Sequence, residues 1–171
     1  MLIHRNDFSS KDLPNINNLL HVLSENAHDL SVGQLEHILS QKNFEIISAR
    51  NECCVDSGSE QNMPHPPVDA MATVHFSNAL GSCFAYIDDV VVNPGIQSKG
   101  LGTLLTKELI LMAKERLAKW VGLTSAPKRA AANVIYSRLM TRMQNLKVFV
   151  LKRANIATQD LGIFLDYSGF E

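Results

Sequence analysis

Residues 90–103 combine residue types that can bind an anion. Three valines and Asn93-Pro94 precede the run Gly95-Ile96-Gln97-Ser98-Lys99-Gly100-Leu101-Gly102-Thr103. An amphipathic helix is predicted to begin near Gly100, and the N–H groups at a helix N-terminus carry partial positive charge. Glycine allows a phosphate to approach the backbone closely, and residues 93–106 contain no Asp or Glu. The segment therefore predicts an anion-binding junction between a strand and a helix.

Two well-known phosphate-binding loops do not match this segment. Gly95 and Gly100 have the spacing of a P-loop, but Leu101 stands where that loop requires lysine. Gly100 and Gly102 begin a dinucleotide-binding fingerprint, but its third glycine position is Leu105. The residue types alone are also compatible with a glycine-rich junction that binds no ligand.

The pattern Gln97-x-x-Gly100-x-Gly102, placed after a β-rich strand, resembles a known motif. It is similar to the acetyl-CoA-binding motif of the GNAT superfamily of N-acetyltransferases, whose pattern is Gln/Arg-x-x-Gly-x-Gly/Ala. The resemblance implies an α/β (α+β) acyl-CoA N-acyltransferase fold. In that fold a mixed, mostly antiparallel central sheet is splayed at its centre and carries helices on both faces.

The resemblance also implies where acetyl-CoA would bind. The pyrophosphate would lie on the loop amides, and the exposed backbone of the splayed strand would pair with the pantetheine arm. Unpaired backbone groups are costly when buried, so a ligand that pairs with them gives the splay a physical reason. The cofactor-binding residues implied are Val90, Val91, Val92, Gln97, Ser98, Lys99, Gly100, Leu101, Gly102, Thr103 and Arg129.

A second similarity to the family lies at residues 124–139. The resemblance places Tyr136 where many members carry a tyrosine that acts as general acid. A positioned phenol can protonate a departing thiolate, whose conjugate acid has a pKa of roughly 8.5. The alternative is a packed amphipathic side chain. The family's Leu-Gly-Phe turn is replaced here by Leu139-Met140-Thr141, so the helix is expected either to run longer, as far as Gln144, or to end differently.

Two adjacent carboxylates, Asp88 and Asp89, are candidates for the base that an amine acceptor requires. Strand alternation sends them to opposite faces of a sheet. Asp88 is the predicted catalytic residue because regular alternation gives it the same face as Val90 and Val92. A β-bulge would reverse that inference. A solvated carboxylate or a loop cap is the alternative interpretation.

The composition excludes several other classes of protein. The 171 residues carry 16 basic and 17 acidic side chains, which disfavours the basic face that nucleic-acid binding requires. No apolar run approaches the ~20 residues of a membrane span. Three cysteines, two of them adjacent, favour a reduced cytoplasmic protein. The six histidines lack metal-ligand spacing, so no metal is expected.

The elements that would position these residues form one predicted domain over residues 1–171. Helices are predicted near 9–23, 31–40, 100–118 and 129–139, because their apolar residues recur at helical spacing. Strands are predicted near 44–49, 70–76, 83–92, 120–124, 146–151 and 162–165. Residues 51–68 are predicted to be an irregular loop within the domain, and residues 153–171 a C-terminal extension.

Two functions follow as hypotheses. The first is an acetyl-CoA-dependent N-acetyltransferase that transfers the acetyl group directly to a primary amine of a small molecule, peptide or protein. The second is a non-catalytic acyl-CoA-binding sensor or regulatory module. Acceptor recognition is expected near residues 26–30 and the 51–68 loop, and a homodimer is possible because relatives commonly form dimers.

Overall fold

The computed structural model describes residues 2–50, 66–140 and 147–152. The strands are β1 (Leu2–Arg5), β2 (Phe44–Arg50), β3 (Val68–Ala79), β4 (Ser82–Val92), β5 (Ala118–Ser125) and β6 (Lys147–Lys152). The helices are α1 (Leu13–Leu23), α2 (Val32–Leu39), α3 (Leu101–Glu115) and α4 (Ala130–Met140). Short 3-10 turns span Ser10–Asp12 and Pro94–Ile96.

The six strands form one mixed sheet in the order in which they occur along the chain. The pairs β1–β2, β2–β3 and β3–β4 are antiparallel, whereas β5 pairs parallel with both β4 and β6. Each parallel connection includes a helix, α3 before β5 and α4 before β6, as a parallel crossover requires. The predicted mixed, mostly antiparallel sheet is confirmed.

The sheet is forked between β4 and β5. Their parallel pairing begins at Cys83 and Ala118 and ends at Ile87 and Leu123. Beyond that point β4 continues to Val92 without pairing to β5. One edge of the end of β4 is therefore open, while its other edge remains paired with β3. This divergence is the splay predicted at the centre of the sheet.

Helices cover both faces of the sheet. On one face α3 and α4 contribute Leu105, Leu109 and Tyr136 to the main core cluster. On the other face α1 and α2 contribute Ile16 and Leu35 to a second cluster. Burying apolar side chains on both faces is what allows a mixed sheet with parallel pairs to exclude water.

A buried ion pair attaches α1 to the sheet. The Arg50 guanidinium donates a 2.6 Å hydrogen bond to the Asp12 carboxylate, and both side chains are almost completely buried. Arg50 also donates to the carbonyl oxygens of Asp7 and Pro66. Hydrogen bonds from one buried cation to several acceptors reduce the cost of removing that cation from water. Through this contact, β2 fixes the start of α1, whose other end reaches the candidate site.

Gly122 on β5 is a position where the packing excludes a side chain. A Cβ at this residue would lie 2.8 Å from Trp120 Cζ3 and 3.1 Å from Tyr86 Cδ2. We expect Gly122→Ala to destabilise the fold by roughly 1–3 kcal/mol, because both rings must shift in a packed sheet. Urea denaturation measures the change in the free energy of unfolding.

The matched control for that substitution is Gly33→Ala in α2. A Cβ at Gly33 has no neighbouring atom within 4 Å, and alanine has the higher helix propensity. This variant should be as stable as the unsubstituted protein or more so. An unchanged free energy of unfolding for Gly122→Ala would contradict the packing described here.

Some features of the structure differ from the sequence predictions, and some predictions lie outside the described residues. Val68 was predicted to end an irregular loop, but it is buried and begins β3. The short edge strand β1 was not predicted. The strand expected at 162–165, the helix extension to Gln144 and most of the 51–68 loop lie outside the described residues.

Candidate active site

The loop between β4 and α3 exposes backbone N–H groups at the start of a long helix. The Asn93 side chain accepts a 3.0 Å hydrogen bond from the Gly95 amide and thereby holds the 3-10 turn. Gly100 has a φ of +83° and caps α3 in the left-handed conformation, which glycine adopts without strain. The Leu104 amide bonds back to the Gly100 carbonyl at 3.0 Å. The first three amides of α3 therefore precede the helical hydrogen-bond ladder and remain available to a ligand.

A cavity of about 560 Å³, here called the fork cavity, lies where β4 and β5 diverge. A second cavity of about 530 Å³, here called the loop cavity, lies between the β4–α3 loop, the end of β4 and α4. The predicted residues that line the loop cavity are Val90, Val91, Val92, Gln97, Ser98, Gly100, Leu101, Gly102 and Arg129. Lys99 and Thr103, which were also predicted, are not among its lining residues.

The loop cavity has the chemistry that the pyrophosphate and pantetheine of acetyl-CoA would require. Among the described residues that line it there is no carboxylate, and Lys128 and Arg129 add positive charge. The open edge of β4 supplies backbone groups without a β5 partner. The Gln97 side chain donates a 3.1 Å hydrogen bond to the Val92 carbonyl, which fixes the loop against the strand. The residues present therefore fit this cofactor.

The two cavities adjoin around Tyr136, which lines both of them. Its side chain projects from α4 and is only 6% exposed. Desolvation raises the pKa of its phenol, and the Arg129 charge partly opposes that increase. The phenol is therefore protonated at neutral pH, which is the form that a general acid requires.

Arg129 connects the end of α1 to this junction. Its Nη2 donates a 2.7 Å hydrogen bond to the Leu23 carbonyl at the C-terminal end of α1. Desolvation raises the pKa of both Asp89 and Tyr136, and the positive charge of Arg129 partly opposes that increase. A single guanidinium thus holds a helix end and adjusts two ionisable groups.

A β-bulge interrupts β4 at Asp89. Across β3, Thr73 pairs with Asp88, but Met71 pairs with Val91, so β4 contains one extra residue at this point. Asp89 has a φ of +48°, a left-handed conformation that Asp adopts more readily than most residues. The extra residue changes which side chains share a face of the sheet.

The prediction that Asp88 shares a face of the sheet with Val90 and Val92 is wrong, because the bulge shifts the alternation of side chains after Asp88. Val90 and Val92 pack against the α3 side of the sheet, together with Ile87. Val91 packs on the α1 side, the same face as Asp88, because Asp88 follows Ile87 by one residue. Asp88 does line the fork cavity, and so does Asp89. The bulge removes the reason for preferring Asp88 over Asp89.

Both carboxylates have raised pKa values. Desolvation is the main cause for Asp88, and the negative charge of Asp89 adds to it. His75 opposes this increase, with its Nδ1 lying 3.6 Å from Asp88 Oδ2. Desolvation is also the main cause for Asp89, opposed by a 3.4 Å hydrogen bond from the Thr73 hydroxyl. A carboxylate with a raised pKa is a stronger base than one in water.

We expect Asp89→Asn to stabilise the protein at pH 7, because ionised Asp89 destabilises the folded state relative to the unfolded state. The raised folded-state pKa means that folding favours the protonated carboxyl. The cost of ionisation is thus largest above the folded pKa and disappears below the unfolded value of about 3.9. Asparagine also tolerates a positive φ.

Thermal denaturation between pH 4 and pH 8 measures this effect. The midpoint of Asp89→Asn should exceed that of the unsubstituted protein at pH 7, and the difference should shrink toward pH 4. Asp69→Asn, on β3 and outside both cavities, is the matched control. A lower midpoint for Asp89→Asn at pH 7 would contradict the assigned direction of the pKa.

The structure places part of the fork cavity at residues that sequence reasoning missed. Residues 22–26, at the end of α1 and just beyond it, line the cavity. Of the segment predicted at 26–30, only Asn26 lies there. Asp29 pairs with His21 at 2.8 Å, and the Leu30 backbone pairs with Asn17. The signal that could have located the correct segment was the end of the apolar helical pattern at Leu23.

The described residues show neither a metal-ion site nor a membrane-spanning helix. No group of three or more His, Cys, Asp or Glu side chains in those ranges is arranged to hold a metal ion. None of the described helices is long and apolar enough to cross a membrane.

A mixed sheet that forks between β4 and β5 and carries helices on both faces is an acyltransferase fold. The sequence model of the acetyltransferase (GNAT) family matches residues 35–139, which span most of the site. The chain therefore belongs to the acetyltransferase (GNAT) family. No curated protein matches the chain.

Solved structures with the same fold share little sequence with this chain. A putative acetyltransferase from Agrobacterium tumefaciens is 19% identical with a TM-score of 0.65, over 90% of this chain and 100% of its own. A Trypanosoma brucei acetyltransferase is 21% identical with a TM-score of 0.63, over 84% and 94%. An aminoglycoside acetyltransferase from an uncultured soil metagenomic sample is 19% identical with a TM-score of 0.62, over 84% and 90%.

Proposed function

We propose that the protein is an acetyl-CoA-dependent N-acetyltransferase that acts on a primary amine. The observation that carries this proposal is the meeting of the two cavities at Tyr136. The loop cavity offers backbone amides and positive charge to the acetyl donor. The fork cavity offers carboxylates to the acceptor amine.

The loop cavity would hold the acetyl donor as a substrate, with the amides of α3 on its phosphates. Its thioester supplies an activated acyl group at the junction of the cavities. Because Arg129 and Tyr136 line both cavities, they would lie beside the reacting atoms. This arrangement brings two substrates into one site and lowers the entropic cost of their reaction.

The Asp88–Asp89 pair would accept a proton from the acceptor amine, because each carboxylate lines the fork cavity and has a raised pKa. The amine nitrogen then forms a bond to the acyl carbon while the carbon–sulfur bond breaks. The Tyr136 phenol would donate its proton to the departing thiolate. One proton leaves the nitrogen and one reaches the sulfur, so the step is balanced.

A non-catalytic acyl-CoA-binding module is the second candidate, because the turn that follows Leu139 in relatives is absent from this sequence. The two functions make different predictions. Calorimetry measures acetyl-CoA binding, and the release of free thiol measures transfer to a panel of primary amines. Binding with thiol release supports the enzyme, whereas binding without release on any amine supports the module. A failure to bind would contradict both.

A further inference from the structure

Arg129 connects two helices that lie on opposite faces of the sheet. Its Nη2 donates a 2.7 Å hydrogen bond to the Leu23 carbonyl, which links the residue just before α4 to the last residue of α1. We propose that Arg129 is a positioning residue for the transfer reaction, because this hydrogen bond holds the end of α1 where the two cavities meet. The inference rests on the proposed function and gives Arg129 a role other than binding the phosphates of the acetyl donor.

The end of α1 forms a wall that both cavities share. Val22 and Leu23 line the fork cavity and the loop cavity alike. Arg129 and Tyr136 line the same two cavities from the side of α4. The hydrogen bond between Arg129 and Leu23 therefore spans the passage in which the acyl group of the donor would meet the acceptor amine. A displacement of α1 would change both cavities together.

The Leu23 carbonyl is well suited to accept this hydrogen bond. The last four carbonyls of an α-helix have no partner within the helix, and that end of the helix carries partial negative charge. The Ser24 amide bonds to the Leu20 carbonyl at 2.9 Å, but the Ala27 amide bonds to the Ser24 carbonyl and does not continue the helix. The guanidinium thus supplies a donor and a positive charge where α1 ends.

The backbone of Arg129 is fixed at the start of α4. Its amide donates a 3.0 Å hydrogen bond to the Ala126 carbonyl, and its carbonyl accepts one of 3.0 Å from the Asn133 amide. The Asn133 side chain also donates to the Ala126 carbonyl at 3.2 Å. A half-buried guanidinium on a fixed backbone can hold α1 in one position relative to α4.

The charge of Arg129 acts on the ionisable groups of the proposed transfer step. The other ionisable residues that line the fork cavity are Glu25 beyond α1, Asp88 and Asp89 on β4, Lys128 beside Arg129, and Tyr136 on α4. The positive charge of Arg129 opposes the desolvation that raises the pKa of Asp89 and of Tyr136. We therefore expect Arg129 to affect the transfer step more than the binding of the acetyl donor.

Amide hydrogen exchange and calorimetry test this role without an acceptor. Arg129→Met removes the donor and the charge but keeps a long unbranched side chain. We expect the Ser24 amide at the end of α1 to exchange about fivefold faster, with the amides of α3 unchanged. The dissociation constant of acetyl-CoA should change by less than about threefold. Arg138→Met, exposed on α4 and outside both cavities, is the matched control and should alter neither quantity.

Steady-state kinetics test the effect on transfer, with saturating acetyl-CoA and the best acceptor among butylamine, glycinamide and Nα-acetyl-lysinamide. Arg129→Met should lower kcat/KM for the amine by about 10- to 100-fold, because small displacements of reacting groups have effects of this size. Both limbs of its pH profile should move to higher pH, since Asp89 and Tyr136 lose a positive neighbour. Arg129→Lys keeps the charge, so its pH profile should not move and part of the rate should return.

Several results would overturn the inference and leave the proposed function intact. These are unchanged exchange at the end of α1 or unchanged kcat/KM in Arg129→Met, and a pH profile that does not move there or moves equally in Arg129→Lys. A rise of about tenfold or more in the acetyl-CoA dissociation constant would indicate a phosphate ligand instead. Absence of acetyl-CoA binding or of turnover in the unsubstituted protein would overturn the proposed function, and the inference with it.

Discussion

Tyr136→Phe should reduce kcat by about 10²- to 10⁴-fold while leaving the affinity for acetyl-CoA unchanged. The substitution removes one hydroxyl from a side chain that is 6% exposed and keeps the ring that packs against the core. Stability should therefore change little. The loss falls on kcat because the hydroxyl acts on the leaving thiolate in the transition state and contributes little to ground-state binding.

Steady-state kinetics and calorimetry on the same preparation separate these effects. Tyr86→Phe is the matched control, because Tyr86 stacks on His75 and lies outside both cavities. That variant should retain full turnover. Full turnover in Tyr136→Phe would remove the general-acid assignment. A parallel loss of acetyl-CoA affinity would indicate a binding role for the phenol instead.

Gly102→Val should weaken acetyl-CoA binding by about 10- to 100-fold, because it places two methyl groups beside the first amides of α3. Gly102 lines the loop cavity. A Cβ at this residue would make ordinary contacts, 3.7 Å to Ile135 Cδ1 and 3.9 Å to Val92 Cγ2. Valine adds two methyl groups beyond this Cβ, at a residue that lines the cavity where the phosphates of the acetyl donor would lie.

Gly102→Ala is the matched control for this substitution. Its Cβ fits the observed space, and the family motif accepts either Gly or Ala at this position. Alanine also favours the helix by up to about 1 kcal/mol relative to glycine. Gly102→Ala should therefore bind acetyl-CoA normally and unfold at a higher temperature. Equal affinities for the Val and Ala variants would exclude the α3 amides as the anion site.

The elements of the fold with strong periodic patterns could be predicted from the sequence. The apolar spacing of α3 and the β-rich run of β4 located both elements to within a few residues. Strand β1 could not be predicted, because a segment of four residues is too short to show an alternation of apolar and polar side chains. Its position depends on distant partners, such as the hydrogen bonds from Arg5 to Glu108 and Glu115 on α3.

The loop part of the candidate site could be predicted, because the motif Gln97-x-x-Gly100-x-Gly102 specifies the backbone geometry of that loop. Gly100 has the positive φ that the helix cap requires, and most of the predicted loop residues line one cavity. The bulge at Asp89 was not predictable, because it depends on the register between β3 and β4. The role of residues 22–25 also escaped prediction, since only the fold brings the end of α1 beside β4 and β5.

The most direct test of the central claim is the stoichiometry of transfer. Purified protein is incubated with acetyl-CoA and each member of a panel of primary amines, and free thiol and N-acetylated amine are quantified together by colorimetry and mass spectrometry. We expect equal amounts of both products, formed only when the protein is present, and at least 100-fold more slowly with Tyr136→Phe. Thiol release without N-acetylated amine, or no turnover of any primary amine despite acetyl-CoA binding, would contradict it.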